Sequence, residues 1–314
     1  MSNSTDGSSL AARLHSIRDS IYMYAGLTVF IVGTIGNVCN IILFTQLDSF
    51  TRLASSWFLV MSFFGSQLFL STAVLSRLIV WCRLRWTLGP LGSGTALTFL
   101  SLASIDRYFV TSRQIHRHRW ITLERTRCII VLVVLAWLVA VIPNAIFYTS
   151  PSCTITDAVY SLASTIFSVA AYSVVPSAVM IVSSTLTWFN LRHAHARTRH
   201  RIRFQHQVNG MMLAQIAMVL FTAVPNALTQ VYMAATRHMA KSPARQGYEE
   251  VVVAILSMLG YVTHAGTFYV YVIVSRGYRN KAKAIILGDQ SRWNRVSPQT
   301  IYWRTPSRDP AFCV

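Results

Sequence analysis

The run CIIVLVVLAWLVAVIPNAIF, residues 128–147, holds 20 consecutive residues without an acid or a base. At a rise of about 1.5 Å per residue, about 20 apolar residues make a helix that crosses a hydrocarbon layer of about 30 Å. The run is apolar on every face, so neither the alternation of a barrel strand nor the single stripe of a surface helix describes it. Working outward, charge-free intervals of the same kind recur at 20–47, 53–76, 86–105, 128–156, 158–191, 204–236 and 251–275. Each holds one spanning helix. The predicted fold is an all-α integral membrane protein, a bundle of seven transmembrane helices.

Composition agrees with that class. Hydrophobic residues make up 53% of the chain and charged residues 12%, whereas soluble domains carry about 25% charged residues. A soluble globule, a disordered chain and a coiled coil are all excluded on this basis. The net charge of +18 would suggest nucleic acid as a partner in a soluble protein, but its placement gives another reading. With the N-terminus outside, 20 of the 28 Lys and Arg fall on the cytoplasmic side, which is the bias that sets membrane topology. Attraction to anionic inner-leaflet lipid accounts for the rest, and no nucleic acid is expected as a partner.

Residues 1–20 read as an extracellular N-terminus, 21–287 as the membrane domain, and 288–314, with Pro298, Pro306 and Pro310, as a flexible cytoplasmic tail. The apolar run after Asp19 is too long for a cleavable leader, so the first span is expected to direct its own insertion. Asn3-Ser4-Thr5 is a glycosylation sequon on the predicted outer side.

Ionisable residues beside apolar spans are functional candidates, because burying them costs several kcal/mol unless they are paired. Asp106-Arg107-Tyr108 closes the third span. An adjacent acid and base can pair and restrain the Arg, or the Arg can simply reach for the interface. Context favours the first. In order along the chain stand Gly36-Asn37, Asp106-Arg107-Tyr108, Trp137, Pro176, Pro225, and Tyr271 with Tyr278 seven residues later.

This series resembles the rhodopsin-like G-protein-coupled receptors, over about residues 21 to 287. Asn37 matches the first-helix Asn, Trp137 the fourth-helix Trp, Pro176 and Pro225 the bending prolines of the fifth and sixth helices, and Tyr271 the seventh-helix Tyr. Tyr278 matches the aromatic residue that opens a short amphipathic eighth helix. The run from Asp106 to Arg113 looks most like the peptide-receptor branch that includes FMRFamide-type receptors. The resemblance implies a disulfide between Cys82 and Cys153, and an apolar coupling residue at Ile115 in the second inner loop. Cys39, Cys128 and Cys313 are then expected to be free thiols.

Departures from the pattern bear on mechanism. The sixth helix has Ala223 where relatives place a Trp, the seventh reads Thr267-Phe268-Tyr269-Val270-Tyr271 in place of Asn-Pro-x-x-Tyr, and the second carries Gly65 and Ser66 around the position of a buried Asp. Gln205 replaces the sixth-helix acid that would pair with Arg107, so Asp106 is left as its expected partner. With Gly65 or Ser66, Ala96 and Thr267 at the positions where relatives hold sodium, no sodium site is expected. Gly89 stands where amine receptors carry an Asp, and the retinal-attachment position corresponds to Tyr261.

No nucleophile elbow, phosphate loop or metal-spaced cluster appears, so neither an enzyme nor a cofactor is expected. The inner-face histidines are interleaved with Arg, and the one deep histidine, His264, is expected to be structural. The Gly89, Gly92 and Gly94 series reads as close helix packing. The resemblance implies a plasma-membrane receptor coupling an extracellular ligand, preferentially a peptide, to a heterotrimeric G protein. Asp157, Glu249 and Glu250 stand at the rim to meet a basic peptide. A seven-span transporter or channel, and a receptor for small chemosensory molecules, are the alternatives.

Overall fold

The structure, a computed structural model, describes residues 3–45, 54–75, 82–112, 123–149, 154–155, 157–192, 199–237 and 239–286. The first span runs through helices Asn3–Ser20 and Gly26–Thr45, joined by the π turn Ile21–Ala25. The second is Ala54–Leu75, the third Cys82–Thr111 and the fourth Leu123–Phe147. A two-stranded hairpin, Tyr148–Thr149 against Thr154–Ile155, leads to the fifth span, Ala158–Val169 and Val175–Arg192 around the π turn Ala170–Val174. The sixth is Arg199–Ala235, the seventh Pro243–Val274, and a short eighth helix, Arg276–Ile286, follows.

Six of these helices are long and apolar enough to cross a membrane, and the second contributes the shorter apolar helix Trp57–Thr72. The fold is the expected seven-helix membrane bundle. Helices outrun the charge-free intervals, the third starting at Cys82 and the sixth at Arg199. Charge marks where the apolar layer ends; a helix continues into the interface, where long basic side chains reach water. The fourth helix leaves Val131, Leu132, Leu135, Val139, Ile142 and Ile146 exposed. Such a stripe at helical spacing needs lipid to cover it.

Local chemistry explains the irregular points. Pro176 has no N–H to offer the carbonyl four residues back, and the helix widens into the π turn just before it. Pro90 likewise frees the Trp86 carbonyl, which accepts instead from Asn144 Nδ2 at 3.0 Å, tying the third helix to the fourth. Asp157 caps the fifth span by accepting from the Tyr160 amide at 2.8 Å, and Ser242 followed by Pro243 opens the seventh. Ser275 leaves helical geometry, and its Oγ accepts from the Tyr278 amide at 3.2 Å, so one residue ends the seventh helix and starts the eighth.

The third helix runs through the centre, packed on the second, fourth and fifth. Close approach to the second rests on missing side chains: a Cβ on Gly92 would lie 2.6 Å from the Phe69 amide nitrogen, and one on Gly65 2.8 Å from the Gly92 carbonyl. Gly94 does the same for the fourth helix, since a Cβ there would meet the Trp137 ring at 2.5 Å. The Trp137 indole N–H donates to Thr98 Oγ1 at 3.0 Å. The apolar interior divides into a larger cluster around Phe44, Phe58, Phe63, Phe99 and Met180, and a smaller one around Leu70, Met258, Tyr261 and Ala265.

Candidate coupling site

At the end of the bundle where the third helix finishes, Asp106 is 2% exposed and Arg107 8%. The Nε and Nη2 atoms of Arg107 are buried without a hydrogen-bond partner. The expected Asp106–Arg107 ion pair is therefore corrected: among the described residues no pair within 4 Å joins them. Adjacent residues on a helix project about 100° apart and do not face each other. Asp106 and Tyr271 act on the buried guanidinium through space. The Tyr271 hydroxyl and the Ser104 Oγ are themselves buried and unpartnered.

Tyr271 is held by aromatic neighbours. Its ring lies 6.5 Å from Phe44 and 5.7 Å, edge-on, from Tyr278. Tyr278 donates its hydroxyl to Asn40 Oδ1, which locks the eighth helix to the first. Asn37 donates to Gln67 Oε1 at 3.4 Å, and Gln67 donates to Thr34 Oγ1 at 2.9 Å. Asn40 and Gln67 were not singled out in the sequence; Asn40 was findable as the residue one turn from Asn37 on the same face.

In the middle of the bundle, His264 Nδ1 is 2.9 Å from Ser66 Oγ, with Phe69 edge-on at 4.8 Å. Thr263 donates to Thr222 at 2.7 Å, linking the seventh helix to the sixth next to Ala223, whose carbonyl accepts from Ser173 at 3.4 Å. His264 is thus hydrogen-bonded within the fold. Tyr108 is half-buried against Phe109.

Ile115 and Cys153 lie outside the described residues, as do the side chains of Cys82, Gln205 and Asn3. Cys39 is a free thiol. Cys128 departs from expectation: it is disulfide-bonded. The expectation of a reduced thiol rested on a predicted cytoplasmic start for the fourth helix, and position along one helix says nothing about pairing.

In the eighth helix, burial holds the Lys281 ammonium down from its ordinary 10.5 to about 8. Between those values the folded chain binds fewer protons than the unfolded one, so stability rises with pH across that window. Below it the burial penalty of the charged form is fully present. The unfolding midpoint is expected to climb between pH of about 8 and about 10.5 in the native protein, and to climb less in Lys281→Met. Equal slopes would exclude Lys281 as the cause.

Seven spanning helices with the third at the centre, and a buried guanidinium with two unpartnered nitrogens where that helix ends, form the bundle. The family model for the 7 transmembrane receptor (rhodopsin family) matches residues 52–265, more than half of the chain. The chain belongs to that family of signalling receptors, which are generally not enzymes. No curated protein matches it.

Proposed function

We propose that this receptor sits in the plasma membrane with its N-terminus outside and passes the binding of an extracellular peptide to a heterotrimeric G protein. The observation that carries the reading is the Arg107 guanidinium, buried with two nitrogens unpartnered beside the unpartnered Tyr271 hydroxyl. Donors left unsatisfied in a dry environment are a standing cost. A state in which the bundle opens and a G protein supplies acceptors relieves it, which gives the two-state element that a signalling receptor needs. Asp106, Tyr108 and Tyr271 frame that surface; Asn37, Trp137, Pro176 and Pro225 hold the helices that form it.

With Gln205 in place of an acid, nothing charged on the sixth helix restrains Arg107, and basal signalling is high. Cys82 and Cys153 are proposed to be bridged across the outer mouth, and Asn3 to carry a glycan. Nucleotide exchange on a purified G protein, stimulated by the receptor in lipid vesicles, tests the reading; no stimulation at any receptor density would end it. Ile115→Ala is expected to lower that stimulation severalfold with surface expression intact, and unchanged coupling would remove Ile115 from the contact.

Sodium is expected to have no specific effect. Around Asn37 the described groups are neutral, with Ser66 given to His264 and Ser62 donating to the Ala96 carbonyl at 2.9 Å. A hard cation needs several oxygens, one of them charged, to replace its water. Unfolding midpoints in matched NaCl and choline chloride should coincide; a reproducible sodium-specific rise would refute this.

A further inference from the structure

At the other end of the bundle, where the N-terminus lies, the acids whose side chains are described are already engaged. Asp19 is 2.9 Å from Arg18, and Glu250 binds Arg18 and, at 2.9 Å, His15. Glu249 takes Lys241 at 2.5 Å, Arg245 at 3.1 Å and the Tyr232 hydroxyl at 2.9 Å. Asp157 caps the fifth helix. The acids expected to receive a basic peptide are therefore occupied by the chain's own cations and by a helix terminus. Removing any of them for a ligand would leave those partners unpaired.

Arg85 is the opposite case. Its guanidinium lies 5.8 Å from the Tyr22 ring and 5.7 Å from the Trp86 ring, so it is framed by aromatic groups of the first and third spans. Among the described residues no carboxylate stands within ion-pair distance of it. Contact with ring faces leaves the positive charge and the planar fork of N–H donors free to meet an anion. Tyr148, also electrostatically coupled to Arg85, cannot supply the missing anion: burial first, then Tyr160, push its hydroxyl up to about 12.

The frame is rigid. Trp86 stacks on Tyr148 at 4.9 Å and 10°, its carbonyl is held by Asn144, and Arg83 Nε donates to the Tyr148 carbonyl at 3.1 Å. One helical turn further in, on the face that carries Arg85, comes Gly89, whose nearest neighbour for an added Cβ is Thr72 at 3.6 Å. Thr72 Oγ1 is 3.1 Å from the Tyr261 hydroxyl, and Tyr261 stacks on Phe69 at 4.4 Å. A fixed cation thus stands one turn above a small-residue gap floored by two hydroxyls and stacked aromatic rings.

We propose that Arg85 is the anchor for a carboxylate of the peptide, with Tyr22 and Trp86 flanking the residue that bears it. This rests on the receptor reading and narrows its ligand to peptides with a free C-terminus or an acidic side chain. Guanidinium and carboxylate meet through paired N–H to O bonds, and aromatic walls that exclude water strengthen them.

Purified full-length receptor is titrated with synthetic tetrapeptide pools: free C-terminus without Asp or Glu, amidated with Asp or Glu, both features, and neither. Unfolding midpoint and G-protein nucleotide exchange are read in parallel. The carboxylate-bearing pools are expected to raise the midpoint, and which of the first two acts identifies the carboxylate as main-chain or side-chain. Half-saturation is expected about tenfold or more higher in Arg85→Gln, partly restored in Arg85→Lys and unchanged in Arg237→Gln, an exposed cation at the same end of the bundle outside this frame. The inference is overturned if only the pool lacking both features stabilises the receptor, if no pool does, or if Arg85→Gln, eluting as a monodisperse receptor, responds like the native protein. If Arg85→Gln does not fold, loss of carboxylate selectivity in Arg237→Gln with full selectivity in Arg85→Lys overturns it instead. Stabilisation by carboxylate pools without nucleotide exchange would leave the anion site standing and bring down the receptor reading; exchange driven by the neutral amidated pool would do the reverse.

Discussion

Gly92→Ala is expected to destabilise the receptor by about 3 kcal/mol and to remove most of it from the cell surface. The added carbon would lie 2.6 Å from the Phe69 amide nitrogen and 2.8 Å from the Gly65 carbonyl oxygen. Both are backbone atoms of the second helix, so no side chain can rotate out of the way. The helices must separate, and the Ser62 to Ala96 carbonyl hydrogen bond of 2.9 Å that spans the same interface lengthens with them. Overpacking costs about 1–3 kcal/mol where neighbours yield; here they yield only as whole helices, which places the effect at the top of that range. Gly260→Ala is the matched control, because an added carbon there meets nothing within 4 Å. It should gain up to about 1 kcal/mol from helix propensity. Equal midpoints for Gly92→Ala and the native protein would show that the two helices are not this close.

The seven spans were legible because a membrane sorts residues along one dimension: an uncharged run either is long enough to cross or is not. Helix ends were not legible by the same rule. Arg83 and Arg85 lie within the third helix although both precede the charge-free interval that begins at residue 86, since a basic side chain at the interface interrupts the apolar run without interrupting the backbone hydrogen bonds. The small-residue series in the third span pointed to close packing, but not to its partners, which differ residue by residue: Gly92 faces the second helix and Gly94 the indole of Trp137.

At both candidate sites sequence neighbours misled. Asp106 stands next to Arg107 in the chain, and helix geometry turns the two apart. Glu249 and Glu250 looked available at the rim, yet their partners, Lys241, Arg245, Arg18 and His15, come from the loop, the seventh helix itself and the first span. The setting of Arg85 draws on the first and third spans at once, and no periodicity within one span reveals it. What sequence does carry is residue chemistry: an Arg placed in an apolar setting is costly wherever its partner turns out to be, and that cost is what made Arg107 a candidate before its surroundings were known.

The same cost yields the second large expectation. Arg107→Met keeps the length and volume of the side chain and removes the buried nitrogens that have no acceptor. Loss of an unsatisfied buried polar group stabilises a fold by about 1–3 kcal/mol, as apolar replacements of buried charges do elsewhere. The unfolding midpoint of the purified receptor should therefore rise. Receptor-stimulated nucleotide exchange should fall to background, because Met offers nothing for the acceptors of a G protein to bind. A residue kept for packing would give the opposite pair, with the midpoint falling and exchange declining in proportion to folded receptor. Tyr271→Phe provides a finer measure at the same place: its hydroxyl is also buried without a partner, so the midpoint should again hold or rise while exchange drops by a smaller factor. If Arg107→Met lowers the midpoint, or if exchange survives it, Arg107 is not the group through which this bundle signals.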